Sequence, residues 1–280
     1  GLSIFGSQTK PLHKLLEYST EVFIPGVTGN EAGAINFLKS LGINISSNSG
    51  EFRMIFDLDK DEMNKLITAI IITRIGSEKD PEDIFGNIYT LKSEENGEPT
   101  KDLKEFSTLL NACGRLSKPS IGVGTCLGDK KIKQMAFELL KEYKITIINS
   151  LNWIYDNKGS DKVVEKENLV IINAQEKIRD TIIGTANSIL SRSGLYKNGT
   201  LIVSMAYTSD RNIKISFRNV ENGFVDLSEF SRDICSRFGG IGGGHPNAAG
   251  GLIPIEKEKE FIEEVGLKIG SMEIKTNQNI

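Results

Sequence analysis

The sequence is poor in the residues that build metal sites and disulfide frameworks. It has 280 residues but only two histidines, His13 and His245, and three widely spaced cysteines without a Cys-x-x-Cys pair. A zinc ribbon and a histidine-rich metal site are therefore excluded, because both need clustered Cys and His ligands. Few, unpaired cysteines are typical of a reducing compartment, so we expect a cytoplasmic protein.

Long apolar runs are also missing. The longest one, residues 66–72, is far shorter than the roughly 18 residues that a membrane span requires. The N-terminus has no basic segment followed by an apolar stretch, which argues against secretion. The first residue is Gly1 and not Met, which indicates an excised domain or a trimmed tag.

The net charge of −3 conceals an uneven distribution. Residues 51–105 contain 14 acidic and 8 basic side chains, a local charge of −6, whereas residues 176–251 contain 9 basic and 7 acidic side chains, a local charge of +2. The first region repels a polyanion and the second tolerates one. Any contact with nucleic acid is therefore expected in the C-terminal half.

Apolar spacing and capping residues predict an α/β protein. In the N-terminal part, the pattern predicts helices at 30–41, 59–75 and 101–115, strands at 51–58 and 87–91, a loop at 117–128 and a long helix at 129–155. In the C-terminal part, it predicts strands at 167–173, 200–208, 212–219 and 249–255, and helices at 178–193, 227–238 and 256–272. This alternation predicts helices packed on a mixed sheet.

The most specific feature is the string Phe238-Gly-Gly-Ile-Gly-Gly-Gly-His-Pro-Asn-Ala-Ala-Gly-Gly251, with seven glycines in fourteen residues. Such a string exposes backbone N–H groups and permits positive φ, as anion-binding segments do. We expect Gly242, Gly243 and Gly244 to donate N–H groups to a phosphate, with the His245 imidazole and Asn247 beside them. The alternative is a flexible interdomain loop or a tight turn.

This string resembles the GGGH signature of the DHH-associated domain, the C-terminal module of DHH-family phosphoesterases. Within that family, the chain resembles archaeal RecJ-like single-strand nucleases of the GINS-associated type. Residues 7–14 and 24–29 are similar to the end of the archaeal catalytic domain, 109–116 to the NAxGR connecting helix, and 180–186 to the first helix of the DHH-associated domain.

The resemblance implies a division of the chain into four parts. They are a remnant of the DHH phosphoesterase domain at 1–42, an acidic α+β insertion at 43–100 that is a candidate protein-docking module, a connecting helix at 101–117, and a DHH-associated nucleic-acid-binding domain with a mixed sheet at 118–280.

One departure from the family concerns catalysis. The family's hydrolysis depends on an Asp-His-His motif and further Asp residues that bind two divalent metals, and this chain contains no Asp-His-His. Two-metal hydrolysis needs such a ligand cluster to activate water. We expect no catalytic residue, metal or other cofactor in this chain, and two Mn²⁺ or Mg²⁺ ions in the full-length enzyme.

The strand at 212–219 offers three further binding residues. Alternation places Lys214, Ser216 and Arg218 on one face and apolar side chains on the other. An ordinary half-buried strand with a solvated polar face is the alternative. RecJ-like domains have such a strand beside the GGGH segment, so the resemblance implies phosphate contacts.

The connecting helix adds Asn111 and Arg115, which lie four residues apart and therefore on one face. The resemblance implies a role for both at the nucleic-acid cleft. The alternative is a surface pair in which Arg115 interacts favourably with the C-terminal end of the helix dipole.

Together these features predict the substrate-binding part of a RecJ-like, metal-dependent 5′→3′ exonuclease acting on single-stranded DNA or RNA in replication and repair. The resemblance implies the GINS complex as the partner of the 43–100 region. A second hypothesis is a non-catalytic scaffold that links GINS to the MCM helicase. A third is an enzyme for oligoribonucleotides or cyclic dinucleotides, which would not need a docking module.

Overall fold

The computed structural model describes residues 1–19, 22–221, 223 and 225–277. The chain folds as two compact units, residues 1–140 and 141–280, whose boundary lies inside a continuous helix. Within the described ranges, no helix combines the length and the apolar character that crossing a bilayer requires.

The first unit is helical. The predicted helices at 30–41, 59–75, 101–115 and 129–155 are confirmed to within a few residues. Asp59 caps its helix, accepting a hydrogen bond from the Glu62 N–H at 2.8 Å while the Glu62 carboxylate accepts from the Asp59 N–H. The helices are α1 (Leu12–Glu17), α2 (Glu31–Ser40), α3 (Lys60–Arg74), α4 (Leu103–Arg115), α5 (Pro119–Cys126) and α6 (Lys130–Asp156), which continues into the second unit.

One hydrophobic core holds the first part of this unit together. It is built from fully buried side chains such as Leu16 and Leu38 on one side of the expected boundary at 42/43, and Leu66 and Ile84 on the other. The segments 1–42 and 43–100 therefore share a core, and the structure has no core boundary between them.

The two strands predicted for this unit are wrong. Ile55–Asp57 forms one turn of 3₁₀ helix, and Thr90 makes only an isolated bridge with Asp102. Within the described part of residues 1–140, β-structure is limited to such isolated bridges. Apolar residues of these segments pack singly into the hydrophobic core and not along a strand, as the buried Ile55 does.

The loop predicted at 117–128 is also wrong, because α5 occupies most of it. Pro119 begins this helix, where a missing N–H costs nothing. Gly122 and Gly124 lowered the expected helix propensity, but Gly124 serves packing. A Cβ at Gly124 would lie 2.6 Å from the Ile132 side chain, whereas one at Gly122 would lie 3.4 Å from the Cys113 Cβ, at ordinary contact distance.

The second unit contains a six-stranded mixed sheet, which confirms the predicted α/β fold. Its order is β1-β2-β3-β4-β6-β5, with β2 and β3 parallel and the other neighbours antiparallel. Two strands were missed, β1 and β5. The strands are β1 (Val163–Lys166), β2 (Leu169–Asn173), β3 (Leu201–Tyr207), β4 (Asn212–Asn219), β5 (Ile241–His245) and β6 (Ala248–Pro254).

Helices cover both faces of this sheet. The helix α7 (Asp180–Leu190) packs on β3 and β4 from one side, and α8 (Leu227–Arg237) packs on β4, β5 and β6. The core on the α8 side includes Phe217 of β4, Phe230 of α8 and Phe261 of α9 (Glu258–Asn277). On the face that α7 covers at β3 and β4, the described helices leave β6 and β5 uncovered, and that exposed part forms the candidate site.

A carboxylate fixes the start of α9 to the ends of β2 and β3. Glu258 accepts hydrogen bonds from Asn173 Nδ2 at 2.7 Å, from Gln175 Nε2 at 3.0 Å and from the Tyr207 hydroxyl. Burial by itself would raise the pKa of Glu258, but these three hydrogen bonds outweigh it and lower the pKa. The network therefore stabilises the ionised carboxylate at the N-terminus of α9, where the helix dipole also favours it.

Candidate nucleic-acid-binding site

The glycine string is not a loop. Gly242, Gly243, Gly244 and His245 belong to β5, which forms a hairpin with β6 through a turn at Pro246 and Asn247. Because β5 is the last strand of the sheet, the N–H and C=O groups on its outer side have no strand partner among the residues that the structure describes. The string therefore presents backbone donors as a sheet edge and not as a concave nest of consecutive N–H groups.

Glycine is required in this hairpin mainly by close packing. A Cβ at Gly242 would lie 2.1 Å from the Ser231 carbonyl oxygen of α8, and one at Gly251 would lie 2.4 Å from the Cys235 Sγ. Only Gly244 of the three predicted donors has a positive φ, at +151°.

Burial raises the pKa of the Cys235 thiol, which packs against Gly251, to about 12, so this thiol stays protonated.

Gly243 differs from its neighbours. A Cβ at this position would have no atom within 4 Å, so its open side faces the exposed part of the sheet. Across the ladder it pairs with Gly250 of β6, which pairs with Ser216 of β4. Glycines at adjoining positions leave a floor without side chains, which permits close approach of a ligand backbone.

The register places the predicted binding residues in parallel rows on this face. One row runs Arg218–Ala248–His245 across β4, β6 and β5, and another runs Lys214–Leu252–Ile241. Directly paired residues point to the same face, so Lys214, Arg218 and His245 share a face, as predicted for the strand residues. Four residues along a strand span about 13 Å, which separates the two rows.

Ser216, in the middle row, is not on a solvated face. It is only 4% exposed because α7 lies over it, with Gly184 of that helix in close approach. The buried Asn187 amide fastens α7 here by donating to the Ser216 and Ile202 carbonyl oxygens at 2.8 Å and 3.2 Å. The expected row of three accessible side chains is therefore interrupted at its centre.

The Arg218 guanidinium is held against α7. Its Nε donates to Ser188 Oγ at 2.9 Å, and its Nη1 donates to the carbonyl oxygens of Phe217 at 2.7 Å and Ala249 at 3.3 Å. These bonds fix the side chain with little remaining rotamer freedom. A guanidinium fixed in advance loses less entropy when it binds an anion.

Two grooves lie at opposite ends of this face. The first, of about 530 Å³, is bordered by Lys214 and Gly243 together with the carboxylates of Asp180 and Asp210. Two carboxylates against one ammonium group make this end unfavourable for a phosphate. Its lining of Ile241 and Leu252 is apolar.

The second groove, also of about 530 Å³, lies at the other end and is called here the arginine groove. It is bordered by Arg218, Arg192, Asn247, Tyr196 and Glu221, and by smaller residues between them. Two guanidinium groups against one carboxylate favour an anion at this end. The structure therefore brings Arg218 and Asn247 together, and it separates Lys214 from them.

The hairpin tip that carries Asn247 is fastened to the rest of the unit. The Asn219 N–H donates to the Asn247 carbonyl oxygen at 3.3 Å, and the Leu227 N–H donates to the Pro246 carbonyl oxygen at 2.9 Å. The His245 side chain is exposed at the end of β5. An imidazole at this position can donate a hydrogen bond to a bound phosphate oxygen.

Asn111 and Arg115 belong to the first unit. Both lie on α4, with Asn111 exposed and Arg115 half-buried, and Ala112 and Cys113 between them are buried. Their common face on the helix is as predicted. Their role in binding stays a prediction.

The sequence did not indicate Arg192 and Tyr196 of the arginine groove, nor Ser188, which holds Arg218. Arg192 and Tyr196 follow α7 and belong to no recognisable motif, and Ser188 lies inside α7, beyond the 180–186 segment that resembles the family. A signal existed for part of this set, because Asp180, Gly184 and Ser188 are spaced four apart and therefore line one side of α7. Arg192 continues this spacing, whereas Tyr196 lies beyond the predicted helix at 178–193 and had no such signal.

The described residues contain no group of three or more His, Cys, Asp or Glu side chains arranged to hold a metal ion. They therefore do not fit the two-metal centre that the DHH-family resemblance implies. No hydrolytic step is assigned to the residues of this site.

Two protein-family models match the chain. The model described as the DHH-CID domain matches residues 4–85, and the model described as the DHHA1 domain matches residues 166–270. The first match crosses the expected boundary at 42/43, in agreement with the shared core. The second includes both grooves and all of β5 and β6.

An uncharacterized protein of Methanocaldococcus jannaschii is 28% identical over 261 residues, which cover 92% of this chain and 52% of the relative. The chain thus spans about half the length of this curated relative. RecJ from Thermus thermophilus in complex with Mg²⁺ aligns over 60% of this chain and 25% of its own at 14% identity, with a TM-score of 0.46. CDC45 from Entamoeba histolytica aligns over 94% of this chain and 55% of its own at 8% identity, with a TM-score of 0.46.

Proposed function

We propose that this chain, which matches the DHH-CID and DHHA1 domain models, is the part of a RecJ-like DHH protein that binds single-stranded nucleic acid. The observation that carries the proposal is the exposed face of the β4–β6–β5 sheet. The face has a glycine floor, Gly243 and Gly250, that carries no side chains. In the next row it carries a fixed guanidinium, Arg218, and an exposed imidazole, His245. Phosphate recognition uses such donors, and close approach of a sugar-phosphate backbone needs such a floor.

The proposal for the whole protein is a metal-dependent 5′→3′ exonuclease of replication and repair. This chain would hold the strand, while the ligands for two Mn²⁺ or Mg²⁺ ions would come from a catalytic domain outside it. By itself, the chain is expected to bind single strands without cleaving them, because its described residues offer no metal cluster.

The binding proposal is tested by the fluorescence anisotropy of a labelled single-stranded oligonucleotide. We expect Arg218→Ala and His245→Ala each to weaken binding about tenfold, which corresponds to about 1.4 kcal/mol. Affinity should also fall as salt rises, because phosphate contacts release counterions. Arg237→Ala is the matched control, since Arg237 is an exposed arginine of α8 that pairs with Asp233 and Glu264.

The control should bind like the unsubstituted chain. Equal affinities for all four proteins would contradict the proposed site. A complete lack of binding at low salt would contradict the proposed function itself.

For the first unit, we propose a protein-binding role, with the GINS complex as the partner. The support is an acidic region, residues 51–105, that also exposes large apolar side chains. Ile72 and Ile75 at the end of α3 are 62% and 64% exposed. Exposed apolar groups within a charged surround are typical of protein interaction sites.

Deleting residues 43–100 would not test this role, because they share a core with residues 1–42. Instead, the double variant Ile72→Asp/Ile75→Asp should abolish GINS pull-down and leave oligonucleotide affinity unchanged. The control is Leu267→Asp, since Leu267 is 72% exposed on α9 in the other unit. Retention of GINS by the double variant would contradict the assignment to this surface.

A further inference from the structure

A fixed aromatic ring borders the arginine groove. Tyr196 is half-buried in the loop after α7 and lines the groove together with Arg192 and Arg218. Aromatic rings beside cationic groups are what single-strand-binding proteins use, because each base has a π-face that can stack. The question is whether this ring is held in place for that purpose.

Two side chains of the neighbouring strand and helix end hold the ring. The Tyr196 hydroxyl donates to Glu165 Oε1 at 2.8 Å, and the Lys158 ammonium group lies 5.2 Å from the ring centroid. Lys158 Nζ is also 3.1 Å from the same Glu165 oxygen. Burial, and then the hydrogen bond to Glu165, raise the pKa of the Tyr196 phenol, so it remains a neutral donor.

The charges of the groove place a phosphate near the ring. Arg192 is exposed, and its guanidinium has no hydrogen-bond or ion-pair partner within the described ranges. Arg218 lines the same groove and is fixed by Ser188. Glu221, which also lines the groove, disfavours a phosphate beside it. A cavity of about 530 Å³ falls within the range of small-molecule sites and accommodates one nucleotide.

We propose that the arginine groove binds one nucleotide of the strand, with its base stacked on Tyr196 and its phosphate between Arg192 and Arg218. This inference rests on the proposed nucleic-acid-binding function and assigns two residues, Tyr196 and Arg192, that no motif indicated. Glu165 and Lys158 are positioning residues, because they act through the ring. Because every base can stack on an aromatic ring, we expect the groove to accept any of the four bases.

The test asks whether removing the Tyr196 ring and removing one base of the strand cause the same loss of affinity. A 12-nucleotide single strand is prepared in versions that each lack one base, and anisotropy gives the affinity of the full chain for each. For the unsubstituted chain, one abasic position should cost about tenfold in affinity, the loss typical of one stacking contact. The variant Tyr196→Leu should bind the intact strand about tenfold more weakly and should lose nothing further at that abasic position.

Two further variants separate stacking from folding. Tyr196→Phe keeps the ring and loses the bond to Glu165, so its affinity should remain within about threefold of the unsubstituted chain. Tyr155→Leu is the control. The ring centroid of Tyr155 lies 6.0 Å from the Lys158 ammonium group, but Tyr155 does not line the groove. It should bind normally, and all variants should melt like the parent.

The failure of this inference differs from the failure of the proposed function. If Arg218→Ala weakens binding but Tyr196→Leu binds like the parent, the stacking assignment is overturned and the binding function stands. If Tyr196→Leu loses the same further affinity at every abasic position as the parent does, the ring does not contact the base. If the parent chain binds no oligonucleotide, both proposals fall.

Discussion

Two neighbouring glycines of β5 provide the sharpest test of the site, because one is required by packing and the other by the ligand. At Gly242 an added Cβ would lie 2.1 Å from the Ser231 carbonyl oxygen of α8. The two atoms must separate by more than about 1 Å to reach ordinary contact. At Gly243 the same Cβ meets nothing within 4 Å. Neither residue has a positive φ, so alanine is compatible with both backbones.

The magnitudes follow from these contacts. Overpacking of this kind costs about 1–3 kcal/mol, so Gly242→Ala should lower the melting temperature by about 4–10 °C. Gly243→Ala should melt within about 2 °C of the parent, because alanine in a strand is slightly better than glycine. Its methyl group would lie on the glycine floor of the exposed face, beside the row of Arg218 and His245 and outside the arginine groove. It should block the close approach of the strand's backbone and weaken single-strand binding about tenfold, or about 1.4 kcal/mol.

The assay is differential scanning fluorimetry for stability and anisotropy for binding, with both variants in the same buffer. Gly159→Ala is not a suitable control, since Gly159 has a φ of +76°. Gly270→Ala is better, because Gly270 lies on α9 without a positive φ, an added Cβ meets nothing within 4 Å, and the residue lines neither groove; this variant should bind like the parent. The reasoning is refuted if Gly243→Ala binds like the parent while Arg218→Ala does not, or if Gly242→Ala melts like the parent.

Three other predictions concern single interactions. Arg218→Lys should weaken single-strand binding about fivefold in anisotropy titrations, since lysine cannot contact Ser188 and two phosphate oxygens with one planar group; an unchanged affinity would contradict a guanidinium-specific contact. Glu258→Gln should lower the free energy of unfolding by about 2 kcal/mol at pH 7. Folding lowers the pKa of Glu258 below its usual value of 4.5, so the ionised carboxylate stabilises the fold above that pH and this stabilisation is lost as the pH falls. In urea titrations, the free energies of unfolding of the parent and the variant should therefore differ at neutral pH and converge in acid; a constant difference would argue against an ionised carboxylate. Asp83→Ala should destabilise the first unit by about 3 kcal/mol in the same assay, because Arg74 is 1% exposed and would lose the Asp83 carboxylate to which it donates at 2.5 Å, whereas Arg74→Met should cost less than half as much, since it leaves only the half-exposed Asp83 carboxylate without this partner.

Local chemistry explains which elements were predictable. The helix α3 begins at Asp59 and α2 at Asn30 because each side chain caps its first turn, and capping is visible in the sequence. The buried strands β3 and β4 were predicted for a similar reason, since their alternating or continuous apolar runs bury one or both faces. The sequence also indicated correctly that Lys214 and Arg218 share a face.

Glycine led to wrong predictions in two places, for one physical reason. At Gly124 and at Gly242 the missing side chain serves a close approach between elements, but in the sequence alone glycine indicates a helix breaker or a loop former. As a result, α5 was expected as a loop, and the GGGH string was expected as a nest when it is an edge strand. The partner that requires the glycine is separate in sequence, as Ser231 is for Gly242, and therefore cannot be inferred locally.

The sequence by itself determined the DHH-associated signature, the acidic and basic halves, the α/β class of the second unit and the face that carries Lys214 and Arg218. Only the tertiary structure decided that α7 buries Ser216, that Lys214 and Arg218 border separate grooves, and that Arg192 and Tyr196 join Arg218 in one of them. Periodicity fixes the direction of a side chain relative to its own strand. What covers that side chain, and which loop lies beside it, depends on packing between elements that are far apart in the chain.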